Sequence, residues 1–353
     1  MNGTMKSLIV DPDGSLRFAQ VPIPEIKDTE ALVKIEACGV CNGTDGKLIH
    51  RAFKGVEIDE YPLILGHEAV GTVVEVGAKA KRYKVGDRVF LPYVNPVGEY
   101  GSAWGAFSEY GVVVDMQAML ESGITMDSPD FYSNCPAQTV IQRDIDPIEA
   151  VVIITLREVL ASTRFFGAKP GETVVVFGCG PVGLTFIKFL KLMGIGPVVG
   201  LDIVDEKLES AKANGADYVF NSMDASYVEK IRELFPNGVD YVFDASGALR
   251  IINESMALIK DRGKICCYGI SPDMTMQLDW SKADYNWQLI FQQMPRKIEE
   301  AQAESQIYAW MDAGVIDLKE WISDVYSFDE AIEVFAKLER KEIAKKCVLD
   351  FRK

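Results

Sequence analysis

The first part of the chain alternates hydrophobic and polar residues with a period of two, which is typical of half-buried strands. In residues 31–37, Val33, Ile35 and Ala37 lie on one face and Lys34 and Glu36 lie on the other. Two further short strands are expected at residues 71–76 and 88–91, each bounded by glycine and charge. This glycine-bounded spacing predicts a compact barrel for the first part of the chain rather than a parallel sheet.

The pattern changes near residue 146. A helix is expected from Pro147 to about residue 166, and the run at residues 173–177 predicts a strand buried on both faces. Strands and helices then alternate, which predicts an α/β fold with a doubly wound parallel sheet. The expected strands are residues 197–202, 218–220, 239–243 and 263–268, and the expected helices are residues 206–214, 225–234 and 251–259. The tail returns to amphipathic helices and ends in a strand at residues 346–350, which is expected to rejoin the first part.

A glycine motif separates the first buried strand from the helix that follows it. The segment Gly178-Cys-Gly180-Pro181-Val182-Gly183 matches a dinucleotide-binding fingerprint. The first glycine allows the tight turn, the second lets the backbone approach a pyrophosphate, and the third allows close helix–strand packing. The pyrophosphate is expected at the helix N-terminus, where free N–H groups favour an anion. The alternative interpretation is a tight strand–helix turn without a ligand.

An acidic residue follows the motif at the distance that a dinucleotide site requires. Asp202 lies 19 residues after Gly183, at the end of the next expected strand. A carboxylate there accepts both ribose hydroxyls and repels the extra phosphate of NADP, so NAD is the expected cofactor. The alternative role for Asp202 is a loop cap.

Charge and cysteine content narrow the class of protein. The 353 residues carry a formal net charge of −15, which argues against nucleic acid and anionic membranes as partners. The sequence offers neither a secretory signal pattern nor an apolar run long enough to cross a bilayer. Seven scattered cysteines favour a reducing compartment, so a cytoplasmic location is expected.

The metal-type residues are few. His50 and His67 are the chain's two histidines, and Cys38 and Cys41 have the spacing of half a zinc knuckle. A structural knuckle needs a second cysteine pair, but the next cysteine is Cys135, so this interpretation fails.

Several segments follow one another in a recognisable order: residues 41–45 (CNGTD), 66–68 (GHE), 71–77 (GTVVEVG), 85–89 (VGDRV), 105–110 (GAFSEY) and 314–318 (GVIDL). Their order resembles the zinc-dependent medium-chain dehydrogenases of the alcohol and sorbitol dehydrogenase type. The resemblance implies a GroES-like β-barrel catalytic domain at residues 1–154 and 295–353, a Rossmann domain at residues 155–294, and a cleft between them. It further implies a small-molecule alcohol or ketone substrate.

The resemblance also implies roles for individual residues. Cys41 and His67 match the first two ligands of a catalytic zinc, and Glu68 matches a carboxylate that ligates the metal in the polyol-type branch. Asp45 matches the acid that orients the histidine. Thr44 matches the hydroxyl that relays the alcohol proton. The alternative for Cys41 and His67 is a buried thiol and a core histidine.

Two strand ends are expected beside the nicotinamide. Ser246, in the segment of residues 244–247, resembles the family's residue near the nicotinamide ribose, and Tyr268 and Gly269 would flank the nicotinamide ring. The alternative is that both segments are ordinary strand-end turns. An aromatic cluster that follows predicts a homodimer or homotetramer; it comprises Trp280, Tyr285, Trp287 and Phe291.

The sequence departs from the family at the metal site. The family's remaining ligand position falls on Ile153 or Ile154, neither of which binds a metal. Glu158, one helical turn later, is the candidate substitute, although a solvated or Arg157-paired glutamate is the preferred interpretation. The loop at residues 41–45 also has one residue more than the family pattern, which weakens the relay assignment of Thr44.

Three further departures concern loops. Lys47 stands where a relay histidine is often found, and His50 is a candidate replacement. The four-cysteine lobe of a structural zinc is absent from the sequence, so one catalytic zinc is expected. The tract at residues 122–142 is longer than expected and is interpreted as a lid, a subunit contact or a surface excursion.

Three functions remain open from the sequence. The leading hypothesis is an NAD-dependent oxidoreductase that interconverts a secondary alcohol and its ketone by zinc-assisted hydride transfer, with a polyol, sugar or cyclitol as substrate. The second is a metal-free reductase of the same fold. The third is a non-catalytic NAD(H)-binding module. Metal content distinguishes the first from the second, and turnover of alcohols distinguishes both from the third.

Overall fold

The computed structural model describes residues 3–41, 43–271 and 273–353, with the side chain of Ile58 excluded. Over these ranges no helix is long and apolar enough to cross a membrane. The strands are β1 (Thr4–Val10), β2 (Leu16–Pro22), β3 (Glu30–Val40), β4 (Leu63–Ile64), β5 (Glu68–Val76), β6 (Arg88–Phe90), β7 (Gly101–Ser102), β8 (Tyr110–Val114), β9 (Val174–Phe177), β10 (Val198–Asp202), β11 (Tyr218–Asn221), β12 (Val239–Asp244), β13 (Ile259–Cys267), β14 (Gln288–Phe291), β15 (Ile322–Ser327) and β16 (Lys346–Asp350). The α-helices are α1 (Asp45–Ile49), α2 (Met116–Glu121), α3 (Pro147–Phe166), α4 (Pro181–Leu192), α5 (Asp205–Ala213), α6 (Tyr227–Leu234), α7 (Arg250–Met256), α8 (Lys297–Asp312) and α9 (Ala331–Glu339).

The chain divides into two compact units. The first comprises Met1–Thr155 and Lys297–Lys353, and the second comprises Leu156–Arg296. One boundary therefore falls within α3, and the other lies directly before α8.

The first unit contains two β-sheets in the part of the chain that is described. One has the strand order β2-β1-β4-β7, and the other has the order β15-β16-β3-β5-β6, with β8 also paired to β3. β3 lies at the centre because its apolar residues are buried on both faces, with Lys34 as its exposed position. The terminal strand β16 pairs antiparallel with β3, so the end of the chain rejoins the barrel, as expected.

The second unit has one sheet in the order β11-β10-β9-β12-β13-β14, and every pairing within it is parallel. This is the order of the doubly wound dinucleotide fold. The expected α/β class, with a GroES-like barrel and a Rossmann sheet, is confirmed. The order reverses between β9 and β12, which places the carboxyl ends of those strands at the switch point.

One expected helix is too long. The helix expected at residues 251–259 ends at Met256, and Ile259 already begins β13. Leu258 and Ile259 are both buried in the core of the second unit. An apolar run at a helix–strand boundary fits either element, so periodicity alone cannot locate the boundary.

The tract at residues 122–142 is integrated into the first unit. Cys135 and Gln138 are fully buried, and the Gln138 side chain bonds to backbone groups of Leu91 and Val114. The Tyr132 ring stacks on Tyr93 at 3.7 Å with an interplanar angle of 11°. The interpretation as a surface excursion is therefore wrong for the second half of the tract, because its side chains complete the core of the barrel.

Candidate functional site

The ends of three strands of the first unit meet where the metal-type residues lie. β3 and β5 pair antiparallel with Gly39 opposite Glu68, so Cys41 and His67, just outside the two strands, come close together. β16 pairs with β3 on its other side, and its first residue, Lys346, lies at the same end. The pairing register thus assembles side chains that are far apart in the sequence.

Three potential metal ligands, Cys41, His67 and Glu68, are close together at this end and are called the metal-type cluster below. The ligand atoms of Cys41, His67 and Glu68 all lie within 4.8 Å of one another. Asp45 is completely buried, and its Oδ1 lies 3.3 Å from His67 Nδ1. Its Oδ2 accepts a hydrogen bond from the backbone N–H of Cys41 at 2.9 Å. A thiol, an imidazole and a carboxylate form a zinc donor set, and a carboxylate behind the histidine is its usual support.

The histidine of this cluster is electrostatically coupled to its neighbours. Burial alone would lower the pKa of His67, but Asp45 and Cys41 outweigh it, so the pKa lies well above its usual value. A metal must therefore displace a proton from the ring, because a histidine binds metal only in its neutral form.

Glu68 is held on both sides of its carboxylate. Its Oε2 accepts a hydrogen bond from Lys346 Nζ at 2.6 Å, and its Oε1 accepts one from the Thr155 hydroxyl at 3.4 Å. Burial would raise the pKa of Glu68, but the charges of Lys346 and His67 reverse this and lower it. The carboxylate is consequently ionised and oriented.

Replacing Lys346 by methionine is expected to lower the free energy of unfolding of the metal-free protein by about 3 kcal/mol at pH 8, because it leaves a buried carboxylate unpaired. In the folded wild type the pKa of Glu68 is lower than in the unfolded chain. The Glu68–Lys346 pair therefore stabilises the fold at pH values above the pKa of Glu68 in the unfolded chain. This contribution is lost as the pH falls through the pKa of Glu68 in the folded protein. In the variant, burial is opposed by fewer partners, so Glu68 takes up a proton more readily. The destabilisation should therefore be smaller at pH 5 than at pH 8 in urea titrations.

The neighbouring Lys345 provides the control. Its side chain is exposed and donates to the backbone carbonyl of Glu320 at 2.7 Å. Lys345→Met should change the free energy of unfolding by less than about 0.5 kcal/mol. An equal loss for Lys346→Met at both pH values would show that the charge of Glu68 does not cause the effect.

The other sequence-predicted residues of this region lie in different settings. Thr44 is mostly buried before α1, and its N–H donates to the Cys41 carbonyl; Asn42, part of the expanded loop, lies outside the described residues. Burial lowers the pKa of Lys47, although Cys41 opposes this. His50 is 65% exposed, and its Nε2 lies 3.7 Å from a carboxylate oxygen of Glu339, so the structure places it on the surface.

Glu158 has a partner of its own. The Tyr268 hydroxyl donates to Glu158 Oε1 at 2.6 Å within the second unit. The preferred interpretation as a solvated or Arg157-paired glutamate therefore needs correction. Across the described residues, the metal-type group does not include Glu158, and Ile153 and Ile154 are buried in α3.

The glycine motif forms a cradle between β9 and α4. Gly178 has a positive φ of +88°, and Pro181 occupies the first turn of α4. A β-carbon on Gly183 would lie 1.7 Å from the Gly178 carbonyl oxygen, whereas one on Gly180 would have no atom within 4 Å. The helix thus approaches the strand as closely as a glycine permits, and open space remains beside Gly180. Val182 is the next residue of the same turn.

Asp202 ends β10 beside this cradle. Its Oδ2 accepts from the backbone N–H of Cys179 at 2.7 Å, and its Oδ1 accepts from the N–H groups of Ile203 and Val204. The carboxylate is 8% exposed. It is therefore fixed next to the glycine motif by the backbone.

The two expected nicotinamide-side segments lie against each other. A β-carbon on Gly269 would lie 2.0 Å from the Gly247 nitrogen, and one on Gly178 would lie 3.1 Å from the β-carbon of Ser246. The N–H groups of Tyr268 and Gly269 both donate to the Asp244 carbonyl. The structure thus brings Ser246 and Gly269 together with the glycine motif at the carboxyl ends of β9, β12 and β13.

A cavity of about 320 Å³ lies in the first unit next to the metal-type cluster. Trp104 connects the two features, because it lines the cavity and its ring centroid lies 5.3 Å from that of His67. Other walls are formed by Phe53, Tyr93 and Tyr132. Trp104 has a φ of +64°, an unusual backbone conformation for a bulky residue.

Sequence reasoning missed several residues of this region, namely Lys346, Thr155, Trp104, Tyr93 and Phe53. Lys346 and Thr155 reach Glu68 only through strand pairing and helix packing, and no local motif marks them. The segment 105–110 was recognised, and Trp104 directly precedes it. The position of Trp104 directly before Gly105 is therefore the one local sequence signal that could have pointed to it.

Comparison with known proteins agrees with this geometry. A family model described as the alcohol dehydrogenase GroES-like domain matches residues 27–121, and one described as zinc-binding dehydrogenase matches residues 181–294. An alcohol dehydrogenase of Geobacillus stearothermophilus is 37% identical over 238 residues, which cover 65% of this chain and 67% of the relative. A sorbitol dehydrogenase of Bombyx mori is 29% identical over 292 residues, covering 76% of this chain and 77% of the relative.

A solved structure has the same fold. A short chain alcohol dehydrogenase of Escherichia coli CFT073, in complex with NADH, superposes with a TM-score of 0.77 at 22% identity and covers 99% of this chain and 100% of that one. The family matches account for the barrel and for the dinucleotide sheet in the order in which they occur here. The chain therefore belongs to the family of zinc-dependent medium-chain dehydrogenases, which use a nicotinamide cofactor.

Proposed function

We propose that this protein is an NAD-dependent dehydrogenase that interconverts a secondary alcohol and its ketone with the assistance of one zinc ion. The observation that carries the proposal is the cluster of Cys41, His67 and Glu68, whose ligand atoms lie within 4.8 Å of one another. We further propose that the first compact unit is the catalytic domain and that the second binds the cofactor. By resemblance, Glu68 favours a polyol, sugar or cyclitol as substrate.

The residues of the cluster fit a zinc ion. Asp45 faces Nδ1 of His67, which leaves Nε2 as the ligand atom and fixes the orientation of the ring. Lys346 and Thr155 orient Glu68 in the same way. When bound, zinc supplies Lewis acidity that lowers the pKa of the substrate hydroxyl, and NAD supplies the hydride acceptor. Thr44 is proposed to carry the alcohol proton away from the site.

Different residues are proposed to bind different parts of the cofactor. Gly178, Gly180 and Gly183 are proposed to hold the pyrophosphate. Pro181, which has no N–H of its own, begins the first turn of α4, and Val182 is proposed to donate its backbone N–H. Asp202 is proposed to bind the adenosine ribose. The nicotinamide side is assigned to Ser246, Tyr268 and Gly269.

Replacing Asp202 by serine is expected to lower the ratio of kcat/KM for NAD to that for NADP by at least about tenfold. The carboxylate selects the ribose hydroxyls and repels the 2′-phosphate, and serine does neither. Initial rates with both cofactors at a saturating alcohol concentration measure the ratio. Asp205, an exposed acid at the start of α5, is the matched control. If Asp205→Ser changes the ratio as much as Asp202→Ser, general surface charge rather than Asp202 sets the preference.

A metal-free reductase is the second candidate, and two observations favour it. By resemblance, the family's remaining ligand position falls on Ile153 or Ile154, both of which are apolar, and the ammonium of Lys346 already pairs with Glu68 at 2.6 Å. A non-catalytic NAD(H) binder remains the third candidate.

The oligomeric state, predicted from the aromatic cluster, stays a prediction. In that cluster Trp280, Tyr285 and Phe291 are exposed, while Trp287 packs against the core.

The deciding experiment measures zinc per subunit in gel-filtered protein together with NAD reduction by a panel of secondary alcohols. About one zinc, and activity that a chelator removes and zinc restores, support the proposal. Turnover without metal selects the reductase. Binding of NADH without turnover of any alcohol or ketone selects the non-catalytic module.

A further inference from the structure

Four of the twelve residues that line the cavity next to the metal-type cluster are aromatic. Phe53, Trp104, Tyr93 and Tyr132 line it together with the aliphatic residues Val56 and Val94. Phe53 packs edge-on against Trp104 with ring centroids 6.1 Å apart. Tyr93 and Tyr132 are stacked face to face. Flat faces and ring edges of this kind complement a planar apolar group.

Lys54 and Asn95 are the exposed polar residues of the wall, and the polar groups of its less exposed residues are already engaged. Ser102 donates its hydroxyl proton to the Val94 carbonyl, and Asn134 donates to the Tyr132 hydroxyl at 3.3 Å. Burial raises the pKa of Tyr93 and of Tyr132, so both are neutral phenols. A polyol entering this cavity would exchange water for few hydrogen-bond partners, and an unpaired buried hydroxyl weakens binding.

The backbone at Trp104 holds its ring in place despite an unfavourable conformation. Trp104 has a φ of +64°, and bulky side chains rarely adopt this region. Its carbonyl accepts from the Val94 N–H at 2.8 Å, and Ala103 and Ala106 on either side are bonded to Ile64 and Gly66. The ring is thereby fixed between His67 and the cavity.

We propose that this cavity selects secondary alcohols and ketones that carry an aromatic ring, in preference to polyols. The inference rests on the proposed function for the reacting hydroxyl, but ring binding can be measured without turnover. Its volume of about 320 Å³ lies at the lower end of the range for small-ligand pockets and accommodates a phenyl group. Tyr132 belongs to the long tract of residues 122–142, so this tract contributes to the specificity.

The test is calorimetric titration of the full-length, zinc-loaded protein without cofactor, using acetophenone and D-fructose as the two ketones. Acetophenone should bind at least about 100-fold more tightly than fructose. Trp104→Gly should weaken acetophenone binding by at least about tenfold, because glycine tolerates the positive φ and removes only the ring. Phe53→Ala, a change at a half-buried ring, should weaken it in the same direction. Trp280→Ala, at a tryptophan that is 61% exposed and does not line the cavity, should leave binding unchanged.

The outcomes separate this inference from the proposed function. Fructose binding as tight as acetophenone, no binding of either, or equal acetophenone binding by wild type and Trp104→Gly with unchanged zinc content would each overturn the inference. Tight ring-dependent binding of acetophenone without NAD-dependent turnover of any secondary alcohol or ketone would sustain the ring-binding inference and contradict the proposed function. A higher kcat/KM for 1-phenylethanol than for xylitol sustains the inference and the proposed alcohol–ketone interconversion, and it overturns the polyol preference that the resemblance implies.

Discussion

Replacing Cys41 by alanine is expected to reduce bound zinc from about one per subunit to a trace and to lower kcat/KM for a secondary alcohol by at least about 1,000-fold. The large effect follows from the small ligand set. His67 and Glu68 alone would remain, and two protein ligands do not hold zinc tightly in a site of this type. Elemental analysis of gel-filtered protein and initial-rate kinetics provide the two measurements.

Cys135→Ala is the matched control for this change. Cys135 lies in the same compact unit and is fully buried, but it is outside the metal-type cluster. It should cost some stability through lost packing while leaving the zinc content unchanged. Unaltered zinc and activity in Cys41→Ala would contradict the proposed metal site and favour the metal-free reductase.

Gly183→Ala is expected to lower the free energy of unfolding by about 3 kcal/mol and the affinity for NADH by at least about 100-fold. The added β-carbon would lie 1.7 Å from the Gly178 carbonyl oxygen. Since this neighbour is backbone, α4 must move away from β9, and the cradle that faces the pyrophosphate is lost. Urea titration and fluorescence titration with NADH measure the two effects.

Gly180→Ala separates cofactor binding from folding. Gly180 has a φ of −76°, and nothing lies within 4 Å of an added β-carbon. The free energy of unfolding should change by less than about 0.5 kcal/mol. Affinity for NADH should still fall by at least about tenfold, because the methyl group occupies the space through which the pyrophosphate approaches the backbone. If NADH binds Gly180→Ala as tightly as the wild type, the pyrophosphate does not lie at this glycine.

The second unit, which has the Rossmann sheet, can be predicted from local sequence patterns. The strand at Val174–Phe177, the glycine motif and Asp202 follow one another within a single strand–turn–helix–strand unit. Parallel strands buried on both faces are continuous apolar runs, and the phosphate-binding turn has its own glycine spacing. The C-terminal end of α7 is harder to predict from the sequence, because apolar residues continue from the helix into β13.

The barrel and the surroundings of the metal-type cluster are harder to predict from the sequence, because they depend on long-range contacts. The first two strands, Thr4–Val10 and Leu16–Pro22, were not recognised, since their stability comes from pairing with each other and with β4. The candidate ligands Cys41, His67 and Glu68 are predicted from motifs that resemble those of this family. The tract containing Tyr132 was expected outside the core, because nothing in its sequence indicates that Gln138 would satisfy the backbone of Leu91 and Val114.

The sequence by itself determined the two-part α/β organisation, the nucleotide cradle and the identity of the candidate metal ligands, because each is encoded by residues close together along the chain. Only the tertiary structure decided which side chains surround those ligands. Lys346 reaches Glu68 across 278 positions of the sequence through the pairing of β16 with β3. Trp104 meets His67 through a turn with positive φ. Such contacts depend on which distant segments pair and pack together. The hydrophobic pattern of a strand determines which of its faces is buried, but it does not determine which distant strand becomes its neighbour.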